Sequence, residues 1–240
     1  MDTRLTHLQG KRVLVTRAVE QAEREMETLR EVGAIPFHFP LIEIQKPSDD
    51  YASLDEALSH LHTYTWIVFT SVNAVEVFFS RLRGRGVPES IRIAAVGPST
   101  AVAIEERNVR VSLIPFRHHA EGLLTELLTF VKKDERVLFP RACDGRGTIV
   151  EGLRAQGIEV DLVEAYRTVL PASADGEELK KLIAREKIDT IIFASPSAVE
   201  HFVRLLGSEE ARAFAKGHEI IPTGPVTEEA VKRALHLTTP

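Results

Sequence analysis

One feature limits this chain of 240 residues more than any other: it contains a long stretch of itself twice. An offset of 124 residues lays Arg12-Val13-Leu14-Val15-Thr16-Arg17-Ala18 on Arg136-Val137-Leu138-Phe139-Pro140-Arg141-Ala142, Leu29 on Leu153 and Gly33 on Gly157. The same offset lays Ile67-Val68-Phe69-Thr70-Ser71 and the residues up to Phe78 on Ile191-Ile192-Phe193-Ala194-Ser195 and the residues up to Phe202. A third block, Gly97-Pro98-Ser99-Thr100, matches Gly224-Pro225-Val226-Thr227 at an offset of 127, so three residues are inserted ahead of it. One match could be chance, but three in order define a duplicated unit of about one hundred residues. Two similar lobes are therefore expected.

Short β-branched runs alternate with amphipathic stretches, the pattern of an α/β protein with mainly parallel sheets. Strands are expected at Arg12–Thr16, Ile35–Phe39, Trp66–Thr70, Ile91–Val96, Val111–Ile114, Arg136–Pro140, Glu159–Leu162, Thr190–Ala194 and Glu219–Pro222. Helices fill most of the gaps, among them Ala22–Val32, closed by Gly33, and Glu121–Lys133 with its leucines at helical spacing. Two extended, proline-terminated strips, residues 40–47 and 163–171, occupy equivalent positions in the repeats. Each is a candidate crossing between lobes. One lobe would then hold residues 1–42 and 168–240 and the other residues 43–167.

Composition narrows the classes. With 44% hydrophobic and 27% charged residues, a chain of this length buries roughly 70–75% of the surface its unfolded form exposes. Cys143 is the sole cysteine, which excludes an intrachain disulfide or a thiolate zinc site and suits a reducing cytoplasm. The first residues, Met1 to Leu8, lack a secretory apolar run, and nothing approaches the ~18 apolar residues of a membrane span. Thirty Lys and Arg against thirty-five Asp and Glu, intermixed to a net charge of −5, argue against nucleic acid as the partner.

In a parallel sheet the ligand site lies beyond the carboxyl ends of the strands, where following helices present unpaired N–H groups. That edge is repeatedly small and hydroxylated here: Thr16-Arg17, Thr70-Ser71, Gly97 to Thr100, Arg141 to Arg146, Ser195-Pro196-Ser197 and Thr223 to Thr227. Such residues also serve as plain N-caps, and both readings stand at this point. If the lobes face each other, many amides and hydroxyls could bind an anion without a basic excess. A Walker loop, a nucleophile elbow, Gly-x-Gly-x-x-Gly and His-Glu-x-x-His are all missing. His118-His119 are adjacent and ill-spaced for one metal, and Cys143 lies near Arg141 and Arg146, which could lower its pKa, or is a bland loop thiol. Tyr166 stands out because its counterpart in the first repeat is Ile42: one strip gained a phenol, able to donate a proton while neutral at pH 7. It could equally pack at a sheet edge.

These blocks, with Pro115, Ala120-Glu121-Gly122-Leu123, Arg146 and Tyr166-Arg167-Thr168, together resemble the uroporphyrinogen-III synthase family over about residues 10 to 235. The resemblance implies two flavodoxin-like α/β lobes joined by a two-stranded linker. It implies a lyase of haem and sirohaem biosynthesis that closes the linear tetrapyrrole hydroxymethylbilane to uroporphyrinogen III with loss of water and inversion of the terminal ring. No cofactor and no metal are expected, and neither nucleic acid nor membrane is a partner. A cytoplasmic monomer supplied by hydroxymethylbilane synthase is expected. The family's tyrosine falls on Tyr166, as general acid; Thr16, Arg17, Ser71, Thr100, Arg141, Arg146, Ser195, Ser197 and Thr227 are the candidates for binding the substrate's carboxylates. Two readings outside the family remain: a two-lobed binder of small anions, and a flavin-binding electron carrier, for which the aromatic content is poor. Asn108 stands where this family has a glycine at a helix end, an exchange the left-handed region tolerates.

Overall fold

A computed structural model of the chain describes residues 3–236; the extreme ends of the expected first lobe, residues 1–2 and 237–240, lie outside them. After a 3-10 helix at Thr3–Leu8 come β1 (Arg12–Val15), α1 (Val19–Glu31), β2 (Ile35–His38), β3 (Glu43–Gln45), α2 (Ala52–Ser59) and β4 (Trp66–Phe69). There follow α3 (Val72–Leu82), β5 (Arg92–Ala95), α4 (Pro98–Glu105), α5 (Ala120–Leu127), β6 (Arg136–Ala142), α6 (Thr148–Ala155) and β7 (Glu159–Val169). The last elements are α7 (Gly176–Glu186), β8 (Thr190–Phe193), α8 (Pro196–Leu206), α9 (Ser208–Gly217), β9 (Glu219–Pro222) and α10 (Pro225–Leu235). The fold is α/β, and its strands form two sheets in the orders β2-β1-β8-β9 and β3-β7-β6-β4-β5.

The chain divides into two units, one running to Ile44 and resuming at Val169, the other Gln45–Thr168. Both crossings fall on hydrogen-bonded neighbours, β3 and β7. The first unit has the 2-1-3-4 strand order of flavodoxin-like sheets, and β7-β6-β4-β5 reproduces it from the other unit with the pieces taken in a different chain order. The duplication is visible in the registers. Arg12 pairs with Ile35 as Arg136 pairs with Glu159, and Val13 with Thr190 as Val137 with Trp66, each displaced by 124 residues. Thr190 pairs with Glu219 as Trp66 pairs with Arg92, and here the three-residue insertion appears. Each unit is therefore half of one repeat joined to half of the other.

Every residue of β4 and β8 is buried, as strands covered on both faces require. Successive side chains point to opposite faces, so in the first unit Leu14, Ile191 and Phe193 pack with α8, α9 and α10, while Val13, Val15 and Ile192 pack with Ala22 and Leu29 of α1. Phe193 meets Phe202 edge-on with centroids 5.4 Å apart, and the equivalent Phe69 and Phe78 do so at 5.2 Å. Gly33 and Gly157 end α1 and α6 in equivalent left-handed turns at φ 80° and 76°, and Asn108 takes φ 58° after α4. Among the described residues no helix is long and apolar enough to cross a membrane.

Three expectations change. β7 runs unbroken from Glu159 to Val169, whereas the first repeat breaks between β2 and β3. Pro40, which cannot donate to a ladder, stands where the second repeat has Glu164. Val111–Ile114 forms only a bridge from Leu113 to Ala94, because Ser112 Oγ accepts from Ile93 N and Pro115 follows at once. α5 stops at Leu127, where Thr129 N and Thr129 Oγ1 both bond to the Glu126 carbonyl.

Candidate functional site

A doubly wound sheet opens a crevice at the carboxyl ends of its strands where the strand order reverses. In the 45–168 unit that point lies between β6 and β4. The helices that follow them leave to opposite faces: α6 packs with Trp66, Val68, Val137 and Phe139, while α3 sets Phe78 against Phe69. Ser71 sits at this point as the extended N-cap of α3, its Oγ accepting from Ala74 N at 3.2 Å.

Tyr166 reaches the same atom. Its hydroxyl donates to Ser71 Oγ at 3.0 Å, and only 7% of the residue is exposed. A bulge aims it there: Arg141 pairs with Glu164 but Ala142 with Tyr166, so Ala165 is the extra residue on β7. Ala165 and Tyr166 are consequently buried in succession, against the alternation of a regular strand. Cys143 N bonds to the Tyr166 carbonyl at 2.9 Å and holds the bulged segment to the loop after β6. Burial raises the phenol's pKa above its ordinary 10, partly offset by hydrogen bonds with Ser71 and Asn73. Tyr166 is thus neutral at physiological pH with its proton held on Ser71.

Other candidates share this edge. β5 lies beside β4, and Gly97 after it caps α4, whose first turn carries the buried Thr100. A Cβ on Gly97 would stand 3.3 Å from that of His118. His118 therefore packs on the edge, and His119 caps α5 by accepting from Gly122 N at 3.1 Å. Neither sits in a metal cluster: no three His, Cys, Asp or Glu side chains gather suitably among the described residues. Arg141 donates to the Arg146 carbonyl at 2.6 Å, and the half-exposed Arg146 reaches Glu121 at 3.2 Å. Cys143 departs from the expectation of a lowered pKa. Its thiol hydrogen-bonds Glu164 and is pushed up, by that bond first and by burial next, with Arg167 opposing only weakly.

The other unit carries the equivalent edge in altered form. Ser195 caps α8 by accepting from Ala198 N at 3.2 Å, with Ser197 in the first turn, and Thr227 is buried in the first turn of α10 as Thr100 is in α4. Where the first edge has Tyr166, this one has Ile42, which joins the hydrophobic core. Thr16 is buried and donates to Ile192 O at 2.8 Å, tying β1 to β8 across the switch point. Its counterpart in the other unit is Pro140, which has no hydroxyl to donate. Arg17 pairs with Glu25 at 2.9 Å.

The family model described as "Uroporphyrinogen-III synthase HemD" matches residues 23–236. A uroporphyrinogen-III synthase from Synechococcus elongatus is 32% identical over 225 residues, 91% of this chain and 84% of that protein. Another from Chlorobaculum parvum is 28% identical over 228 residues, 93% of this chain and 89% of that one. Among solved structures, a mutant uroporphyrinogen III synthase from Thermus thermophilus superposes with a TM-score of 0.66 at 17% identity, covering 93% of this chain and 89% of its own.

Proposed function

Since the chain belongs to the uroporphyrinogen-III synthase family, we propose that the carboxyl edge around Ser71 and Tyr166 is where it carries out that family's reaction. The protein is a lyase of tetrapyrrole biosynthesis. Its substrate, hydroxymethylbilane, must lose a hydroxyl group as water and then close with one ring inverted. Two tasks follow for the protein: protonating the leaving oxygen, and holding a flexible polycarboxylate in the one conformer that closes correctly.

The observation that carries this assignment is the buried Tyr166 phenol donating to Ser71 at the switch point. A phenol there keeps its proton at neutral pH and can give it to an oxygen as the C–O bond breaks. The second task needs many modest contacts. Ser71 and Thr100 offer hydroxyls at the N-termini of α3 and α4, whose dipoles favour carboxylates, and Arg141 and Arg146, at the end of β6 and in the loop after it, offer guanidinium groups. Arg17, Ser195, Ser197 and Thr227, on the equivalent edge of the other unit, are assigned to carboxylate binding as well, whereas Thr16, buried with its hydroxyl on Ile192 O, shapes that edge without reaching the substrate. Orientation then supplies most of the selectivity, since pre-organising the reacting carbon against its target removes entropy from the barrier. We assign the protein to the cytoplasm as a monomer fed by hydroxymethylbilane synthase; the free, exposed Cys143 suits a reducing compartment.

Freshly prepared hydroxymethylbilane, incubated with the protein and resolved by chromatography, should yield uroporphyrinogen III. A mixture no richer in isomer III than the protein-free control would reject the assignment.

A further inference from the structure

We propose that Ser71 delivers the proton to the departing oxygen and that Tyr166 is the store behind it. This rests on the functional reading above and refines it, moving the single O–H of Ser71 from carboxylate binding to the chemistry. Ser71 Oγ receives two hydrogens, one from Ala74 N at 3.2 Å and one from the Tyr166 hydroxyl at 3.0 Å. A serine oxygen has two lone pairs and a single hydrogen. With both lone pairs filled, all that Ser71 can still offer is its own O–H. Burial orders the pair the same way: Tyr166 is 7% exposed, with its oxygen engaged by Ser71 and Asn73, while Ser71 is partly open.

The transfer balances without a co-reactant. The C–O bond of the hydroxymethyl group breaks with its electron pair on oxygen, and that oxygen takes the Ser71 hydrogen and leaves as water. Ser71 Oγ recovers a hydrogen from Tyr166, leaving a phenolate that hydrogen-bonds Asn73. The cation left on the substrate is discharged when ring closure expels a proton from carbon, and that proton refills the phenol. Ser195 makes the same helix cap, but the position equivalent to Tyr166 is Ile42, a core residue with no proton to supply.

The test compares kcat and KM for Ser71→Ala, Ser71→Asn, Ser71→Thr, Tyr166→Phe and the double variant Ser71→Ala/Tyr166→Phe. A relay predicts that Ser71→Ala, Ser71→Asn and Tyr166→Phe each lower kcat by about 10²-fold with little change in KM. The double variant should be no slower than either single, and Ser71→Thr should restore most of the rate. Asparagine retains the cap, so an unchanged melting temperature for Ser71→Asn separates lost relay from lost helix. The wild-type rate should also show a curved dependence on deuterium fraction, the mark of two protons in flight. The relay is overturned if Ser71→Asn keeps wild-type kcat while Tyr166→Phe does not, if the Ser71 changes raise KM alone, or if the losses multiply in the double variant. Failure of the family reading looks different: wild-type protein would form no isomer III at all.

Discussion

Ser71 and Ser195 close the first turns of α3 and α8 with the same hydrogen bond at the same length, 3.2 Å, yet Tyr166 donates to Ser71 and the matching position beside Ser195 is Ile42. Two repeats that agree in strand register have diverged at this side chain, and the divergence puts a titratable group at one switch point.

Tyr166→Phe keeps the ring and deletes the hydroxyl. Losing one neutral hydrogen bond costs about 1 kcal/mol, so the melting curve should move little while turnover falls by about 10²-fold. Because burial raises the phenol's pKa, the ultraviolet difference titration between wild type and this variant should show a tyrosine ionising above pH 10. Ionisation below 10 would contradict the burial described.

Thr100→Val and Thr227→Val exchange buried hydroxyls for methyl groups at equivalent first turns. Each is expected to raise KM by about fivefold, the worth of one hydrogen bond near 1 kcal/mol, and to leave kcat alone. Steady-state kinetics on both variants checks this, and a collapse of kcat in either would place its hydroxyl in the chemistry.

Asp55 of α2 accepts from Arg81 of α3 at 2.9 Å and is held below the ordinary carboxylate range chiefly by that hydrogen bond. A carboxyl with a depressed folded-state pKa adds stability above its unfolded value, about 3.9, and loses it as pH falls through the folded value. Urea midpoints for wild type and Asp55→Asn should therefore differ at pH 6 and converge as pH drops below about 3.9. A gap that stays constant with pH would mean the pair contributes nothing through charge.

Gly176 opens α7 and Gly152 lies within α6; a methyl group on either would collide, but with different partners. At Gly176 it meets the Leu205 carbonyl oxygen, which belongs to α8 and cannot rotate away, whereas at Gly152 it meets the terminal methyl groups of Leu124. Gly176→Ala should cost about 1–3 kcal/mol as overpacking against backbone does, and Gly152→Ala less. Chemical denaturation of the two variants decides it.

Most of the fold could be read from the chain because the duplication tested itself. Val13-Leu14-Val15 and Val137-Leu138-Phe139 predict the same strand, and the observed pairing preserves even the three-residue insertion before Gly224. The edge hydroxyls were visible for the same reason, yet what each one does was not. Thr16 and Ser195 have the same composition signal, but Thr16 is committed to a carbonyl inside the sheet and Ser195 to a helix cap. The bulge at Ala165 left no local signature, since alternation through Val163-Glu164-Ala165 looks regular until Tyr166 breaks it. Propensity also overstated α5: the leucines keep a helical period past Leu127, but Thr129 competes for the Glu126 carbonyl.

The crossed assembly of the repeats sets an order of events at the ribosome. Residues 45–168 emerge as one stretch that carries its whole sheet apart from the strand it borrows at the crossing, whereas β1 leaves first and waits for β8. At 5–20 residues per second, the interval between Val15 and Thr190 is on the order of 10–35 s. For that time Val13, Leu14 and Val15 have β2 on one side and an open strand edge on the other, the kind of surface that recruits neighbouring chains. The amino-terminal strand is therefore the point at which synthesis of this protein is most exposed to aggregation, and slowing translation after residue 168 lengthens the exposure without touching the unit already complete.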